Sequence, residues 1–444
     1  AVGPQGLVGE FVDGLPARAW DYGYPGVSRA RMSSVSAYAA DELRLGALFL
    51  EAGLRVETWD GSAEGAPQGI AWRGVFPRAQ ARWSPLEEGR LAFVLGYARY
   101  GHPLRLKDLA FSDPSGPQGK VYLWTDTNGN GVVDPGEVGP LIAVVGPGSL
   151  DGTSVRLAPS LQQPTTDELL ASVEARFGKT RLAFAGIRRR ARNLLETVNV
   201  GVPLSDYTVT LVPDPASDLV GGTTEQLLPI YGRSPASFGK DRYLLTNPAG
   251  HDTLYEGLEI NLDTTLLSRL SLHLGATASR AEGSSGNRGF GVLENDAGVI
   301  GELFDDPNAD TFSRGRLFFD RAYTLKISAL YRAPGGVLLG LLARYQDGQP
   351  FSRLVIAPDL PQGPEAIMAF PRGLSRFHDV LTVDIRIEKG LRLGGRRVSL
   401  VLAAFNALGT AGEIEEDVVT LPTFRRITAV QPPRVVTLGL AVAF

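Results

Sequence analysis

Cysteine is absent from the 444 residues. That one gap removes disulfide scaffolds, thiol nucleophiles and thiolate-held zinc or iron–sulfur centres together. A surplus of basic charge is missing as well. The formal net charge is -4 and only 21% of residues are charged, so no overall positive field exists to draw nucleic acid. Long apolar runs are lacking too. The longest, such as GVLLGLLA and SLVLAAF, fall far short of the ~18 to 20 residues that a membrane-crossing helix needs, which excludes a helical membrane protein. Histidine is scarce: His102, His251, His273 and His378 stand far apart, with no H-E-x-x-H. The G-x-S-x-G elbow and the G-x-x-x-x-G-K-[ST] loop are also absent, so zinc hydrolysis, serine hydrolysis and nucleotide chemistry lack their usual scaffolds. The expectation is a protein that is not an enzyme. The opening AVGPQGLVGEFVDG has neither the basic start nor the apolar run of a signal peptide, and we expect a mature chain or a piece of a longer one.

What the sequence has in quantity is turn chemistry and alternation. Gly 53 and Pro 30 suit many strands joined by turns. In VVTLGLAVAF, the residues Val436, Leu438, Leu440, Val442 and Phe444 make an apolar face, against small residues on the other side. In DVLTVDIRIEKG, Leu381, Val383, Ile385 and Ile387 alternate with Thr382, Asp384, Arg386 and Glu388. A one-residue slip would exchange these faces, so the register is specified.

Thirteen such segments are predicted, at 34–44, 48–57, 73–83, 90–100, 168–177, 181–190, 253–263, 269–280, 320–332, 336–347, 379–388, 396–405 and 435–444. Short turns at 45–47, 84–89, 178–180, 333–335 and 390–395 alternate with long connections at 58–72, 101–167, 191–252, 281–319, 348–378 and 406–434. Strands of this length, with loop lengths segregated by rim and a second face carrying charge, predict an all-β, transmembrane antiparallel barrel. A soluble sandwich or propeller alternates too, but has no reason to sort its loops this way. Aromatics near predicted strand ends, Trp59, Trp72, Trp83, Tyr97, Tyr100, Tyr331 and Tyr345, suit interfacial girdles. Counting back from the final strand makes 1–33 part of an extracellular loop. An antiparallel barrel cannot close from an odd strand count that starts outside, so strands are expected upstream.

Four local signals carry candidate chemistry. Within TDTNGNGVVDPGE, a calcium-type pattern places oxygen ligands at Asp126, Asn128, Asn130, the Val132 carbonyl, Asp134 and Glu137, with Gly131 at the sharp turn. Its flanks do not read as paired helices, so low-affinity Ca2+ clamping an extracellular loop is expected, without a switch; the alternative is an Asn/Gly-rich β-turn that binds nothing. The acidic stretch FDDPNAD, with Asp305, Asp306 and Asp310, reads as a solvated turn before a second cation site. IRRRAR, with Arg188, Arg189, Arg190 and Arg192, falls at an extracellular strand end, where it would meet lipid phosphates or solvent. Asp384 and Glu388 read as part of a charge ladder across the barrel interior and not as an acid/base pair.

The series SAYAADELRLG, LEAGLRVETWDG, FPRAQARWSP with LAFVLGYARYGHPL, YEGLEINLDTTLLSRLSLHLGATAS, FFDRAYTLKISALYRAPGGVLLGLLARYQDGQPFSR, FNALG and PPRVVTLGLAVAF resembles the C-terminal part of TonB-dependent receptors. The closer likeness is to the branch with an N-terminal carboxypeptidase-regulatory-like domain. The resemblance implies a 22-stranded barrel in the bacterial outer membrane, of which this chain holds about 13 C-terminal strands, with the plug domain and N-terminal strands outside it. It also implies energised uptake of an unidentified ligand through the TonB complex, with outer-membrane lipid around the wall. The alternative is a passive channel or a surface-interaction barrel. The Phe444 end fits the recognition of such chains by the assembly machinery.

Overall fold

The computed structural model describes residues 6–23, 26–116, 118–146, 155–214, 227–284, 305–393, 396–420 and 422–443. Thirteen strands run in sequence order through one antiparallel sheet: β1 Ala30–Leu45, β2 Leu48–Ala63, β3 Ile70–Trp83, β4 Leu91–Gly101, β5 Thr165–Phe177, β6 Thr180–Arg192, β7 Thr253–Leu266, β8 Leu270–Ser284, β9 Tyr323–Ala333, β10 Val337–Gln346, β11 Val380–Leu393, β12 Arg396–Phe405 and β13 Val435–Ala443. A short strand, Arg314–Arg316, adds to the end of β8. Each predicted segment is one of these strands, usually with longer ends. Among the described residues, β1 and β13 are the two unpaired edges of the sheet. No helix among them is long and apolar enough to cross a membrane, which says nothing of crossing by strands.

The period-two pattern becomes two physically different surfaces. Leu258 and Ile260 on β7, Leu339 and Leu341 on β10, Ile385 and Ile387 on β11, and Val436, Leu438 and Leu440 on β13 lie on one face and are exposed there, up to 75% for Leu438. Exposed apolar residues in strict alternation over this many strands form a surface suited to lipid. The other face carries charge. Arg344 donates to Asp384 at 2.8 Å, Arg386 to Glu388 at 3.0 Å, and Arg82 to Glu174 at 3.2 Å.

Short turns occupy one rim, at 46–47, 84–90, 178–179, 267–269 and 334–336. At the tightest of these, Gly46 and Gly178 take φ of 60° and 57°, a left-handed geometry that glycine adopts without strain. On the other rim the connections are 102–164, 193–252, 285–322, 347–379 and 406–434. One expectation fails there. Strands β2 and β3 extend into the predicted 58–72 gap and leave only 64–69 between them, because Trp59 and Trp72 pair across the two strands instead of ending them.

The buried core lies over this second rim, while the wall holds little of it. Strands Val8–Val12, Leu15–Gly23, Gln118–Trp124 and Val138–Val145 form a four-stranded meander, joining the N-terminal segment to the 102–164 connection. Trp20, Val121, Ile142 and Val145 from it pack with Tyr243 of the next connection. Ile70, Trp72, Leu104, Leu109, Leu157 and Leu245 form a second cluster that seats the cap on the wall. Burial of each large side chain stabilises the cap by about 1.5–3 kcal/mol. Of the segment 1–33, the described residues hold a hairpin, Val8–Val12 with Leu15–Gly23, built into the cap, and the first residues of β1 from Ala30.

Three of the aromatics expected in girdles face inward instead. Trp59 and Trp72 join the cap cluster, and Tyr100 lies under the Arg78 guanidinium at 4.8 Å. Their strand alternation opposes that of exposed Leu54, Val75 and Leu95, so an end-of-strand position alone did not predict their face. Trp83, stacked on Phe93 at 5.5 Å, does lie on the apolar face near the short-turn rim. Phe444 lies outside the described residues.

Candidate functional site

The cap is tied together by buried charge. Arg18 donates to both oxygens of Glu10, at 2.8 and 2.6 Å, and reaches Glu365 at 3.5 Å; Trp20 donates to Glu10 at 2.6 Å. Asp306 caps the helix Pro307–Asp310 by accepting from the Asn308 backbone at 2.7 Å, and the Asn308 amide bridges to Glu365 and to the Tyr231 carbonyl. Burial works against the Arg18 charge, yet Glu10 outweighs it and holds the guanidinium above its ordinary value. Burial pushes the Asp306 and Glu365 carboxyls up. Arg233 and Asp241, 1% and 0% exposed at the side chain, form a second buried pair at 3.1 Å. Removing one partner of such a pair leaves a buried charge uncompensated.

A cleft of 690 Å³ opens between the 193–252 connection and the segment after residue 304. Glu196 and His251 meet on its wall at 3.1 Å. Asp305 accepts from the Asn199 backbone at 2.5 Å, and burial raises its carboxyl to about 7. Asp310, across the same cleft, is raised to about 6 by burial, then by the charges of Glu196 and Asp306. Arg314 anchors the lip by donating to the Gly250 carbonyl at 2.9 Å and to Asp252 at 3.0 Å. The expectation that FDDPNAD is a solvated turn holds for Asp310, which is exposed, and fails at the centre of the stretch, where Asp306 is 4% exposed and Asn308 2%. The stretch is polar because it hydrogen-bonds inside the cap, a role that composition does not distinguish from solvation.

The calcium-type residues sit at the tip of the hairpin made by strands Gln118–Trp124 and Val138–Val145. Asp126 accepts from the backbone of Asn130 at 3.2 Å and of Gly131 at 2.9 Å, and Asn130 Oδ1 accepts from Val132 N at 2.8 Å. Gly131 takes φ 72°, the sharp turn that the pattern requires. Asn128 and Asn130 both donate their amides to Asp134 Oδ2, at 2.9 and 2.7 Å. Glu137 is turned the other way, accepting from Thr127 and, at 3.5 Å, from Trp124. The six positions are thus gathered on one loop, with their carboxylates engaged in hydrogen bonds within it. A bound cation would need the two amides to present oxygen, and Glu137 to turn inward.

The arginine run is spent on neighbouring strands. Arg188 pairs with Glu256 at 3.3 Å, Arg190 with Asp252 at 2.8 Å and Arg192 with Asp167 at 3.8 Å, while Arg189 pairs with Glu168. Glu256 and Glu168 lie directly across from Arg188 and Arg189, and Asp252 and Asp167 lie diagonally from Arg190 and Arg192, so acidic partners take the place expected for lipid phosphate. The network of Glu10, Arg18 and Glu365 was missed from the sequence. Its only local signal was an arginine in an otherwise apolar stretch, and its partners come from remote parts of the chain.

A wall of meandering antiparallel strands with an apolar outer face, a charged inner face and one capped rim has the fold of an outer-membrane β-barrel wall. The FrpB iron transporter from Neisseria meningitidis matches with a TM-score of 0.50 at 12% identity, over 93% of this chain and 45% of that one. The siderophore receptor PiuA from Acinetobacter baumannii matches with 0.50 at 11%, over 96% and 44%. The ferric citrate transporter FecA, in its unliganded form, matches with 0.51 at 9%, over 96% and 46%. The chain spans less than half the length of each. Comparison of the sequence with family models and with curated proteins gives no match. At these identities the likeness establishes the fold, and the chemistry has to be argued from the residues.

Proposed function

We propose that this chain is the wall and outer cap of a TonB-dependent outer-membrane receptor that takes up a ligand using energy passed through the TonB complex. The observation that carries the reading is the pairing of two surfaces: an exposed apolar face repeated along the wall, and long connections folded into a packed cap on one rim only. A passive pore has no need of that cap. The three solved relatives are an iron transporter, a siderophore receptor and a ferric citrate transporter, which supports a receptor role and leaves the ligand here unidentified. In lipid an open sheet edge leaves backbone groups unpaired at several kcal/mol each. We therefore take the working barrel to be larger than the thirteen strands, with 22 as the expected total, a plug inside it and a carboxypeptidase-regulatory-like domain before it. Outer-membrane lipid surrounds the wall, and Ca2+ at Asp126, Asn128, Asn130, Val132, Asp134 and Glu137 orders the tip of one outer connection.

The test is the coding sequence upstream of Ala1. A plug domain preceded by a TonB-contacting segment is the expected finding. An upstream region that encodes strands alone would replace this reading with a passive channel or a surface-interaction barrel.

A further inference from the structure

The last two long connections, 347–379 and 406–434, are joined along a seam. Leu354 N donates to the Val418 carbonyl at 2.9 Å and Thr420 N to the Leu354 carbonyl at 2.8 Å. Phe351 and Phe377 stack at 4.8 Å, with Val418 buried against them. This packing brings His378 of the first connection against Glu413 and Glu416 of the second, where strand Glu413–Glu416 pairs with Ile427–Val430. One donor atom from each of His378, Glu413 and Glu416 lies within 4.8 Å of the other two, the sole such acidic or imidazole triad among the described residues.

The triad has more than proximity. Its Nδ1 is in contact with Glu413 and 3.7 Å from Glu416 Oε1. Glu416 is 3% exposed, and neither of its oxygens accepts a hydrogen bond. Arg425 stands beside Oε2 as a charge partner. A carboxylate buried this deeply with so few donors around it is costly. A cation at the meeting point of Nδ1 and the two carboxylates would satisfy it. The His378 side chain is 61% exposed, which gives an ion a route in and leaves a coordination position for water. Arg425 also lies over the Phe351 ring at 5.2 Å, a contact that holds the guanidinium independently of Glu416. One imidazole nitrogen with two carboxylates suits Zn2+ and its first-row neighbours, whereas Ca2+ and Mg2+ prefer oxygen alone.

We propose that His378, Glu413 and Glu416 form a divalent transition-metal site that clamps the 347–379 connection to the 406–434 connection. The site is independent of uptake and of the calcium-type loop. It escaped sequence reading because its single histidine and its glutamates belong to different connections, so no local spacing announces them.

The probe is Co2+, followed by its visible absorption and competed by Zn2+, on the full chain refolded in detergent. One equivalent of Co2+ should give an intense band of four-coordinate type, which Zn2+ bleaches. The oxygen-only loop at 126–137 would give a weak band at most. His378→Ala and Glu413→Gln should each weaken binding at least 10-fold, and the exposure of His378 makes its replacement compatible with folding. No intense band, or titrations identical in the wild type and both variants, would overturn the site. Glu416→Gln supplies the second readout: chelator should lower the melting temperature of the wild type and leave that of the variant unchanged, and equal shifts in both would also overturn it.

Discussion

Glu137 closes the hairpin tip onto Thr127, its Oε1 accepting from the Thr127 backbone at 2.9 Å and from the Thr127 hydroxyl at 2.8 Å. The hydroxyl bond, with help from the Asp134 and Thr127 backbone, holds the Glu137 carboxyl down at about 2. A lowered carboxyl adds stability that is complete above the ordinary glutamate pKa and is lost as pH falls toward 2. The carboxylate is therefore charged at any pH near neutral.

Calcium binding at the loop should consequently be flat from about pH 5 upward and weak, with a dissociation constant on the order of 10⁻⁴ to 10⁻³ M. Glu137→Gln keeps the shape and removes the charge, and calorimetric titration of the refolded chain should show affinity reduced at least tenfold. Equal affinities in the two proteins would leave the loop as a hydrogen-bonded turn.

The face assignment can be tested with two adjacent leucines. Leu341 lies on the apolar outer face and is 38% exposed, while Leu342 faces inward, opposite Asp384 and Ser328. Leu341→Arg should lower folding stability in a bilayer by about 2–4 kcal/mol, the cost of a cation near the midplane. Leu342→Arg meets a carboxylate and should be tolerated. Denaturant unfolding in lipid vesicles measures both, and equal costs would show that the faces are misassigned.

Much of this fold was legible because a barrel wall is written in local alternation. Val436, Leu438 and Leu440 announce their face without knowledge of any neighbour, and loop length announces the rim. The cap was not legible, for the opposite reason. Arg18 is stabilised by Glu10 nearby but also by Glu365 from a remote connection, and Asp306 looked solvated because nothing local shows that Asn308 bridges it to Tyr231 and Glu365. The calcium-type residues were found by spacing, while the turning of Glu137 toward Trp124 and Thr127 depends on the hairpin beneath.

The cleft should respond to pH through Asp305. Its carboxyl rises from 3.8 to about 7, chiefly by burial. A raised carboxyl contributes stability that is complete below its unfolded value and is lost as pH climbs through the folded one, so the cap should weaken between about pH 4 and 7. The rise corresponds to at most roughly 4 kcal/mol. Asp305→Asn cannot ionise and keeps an acceptor for the Asn199 backbone. It should remove the part of the pH dependence that belongs to Asp305, leaving the parts from Asp310, which is raised to about 6, and from the buried Asp306 and Glu365 carboxyls. Thermal melting of the refolded chain at pH 4.5 and 7.5 reads this directly. A wild type that gains stability over that interval, or a variant that loses as much as the wild type, would mean that the Asp305 charge is already compensated within the cleft.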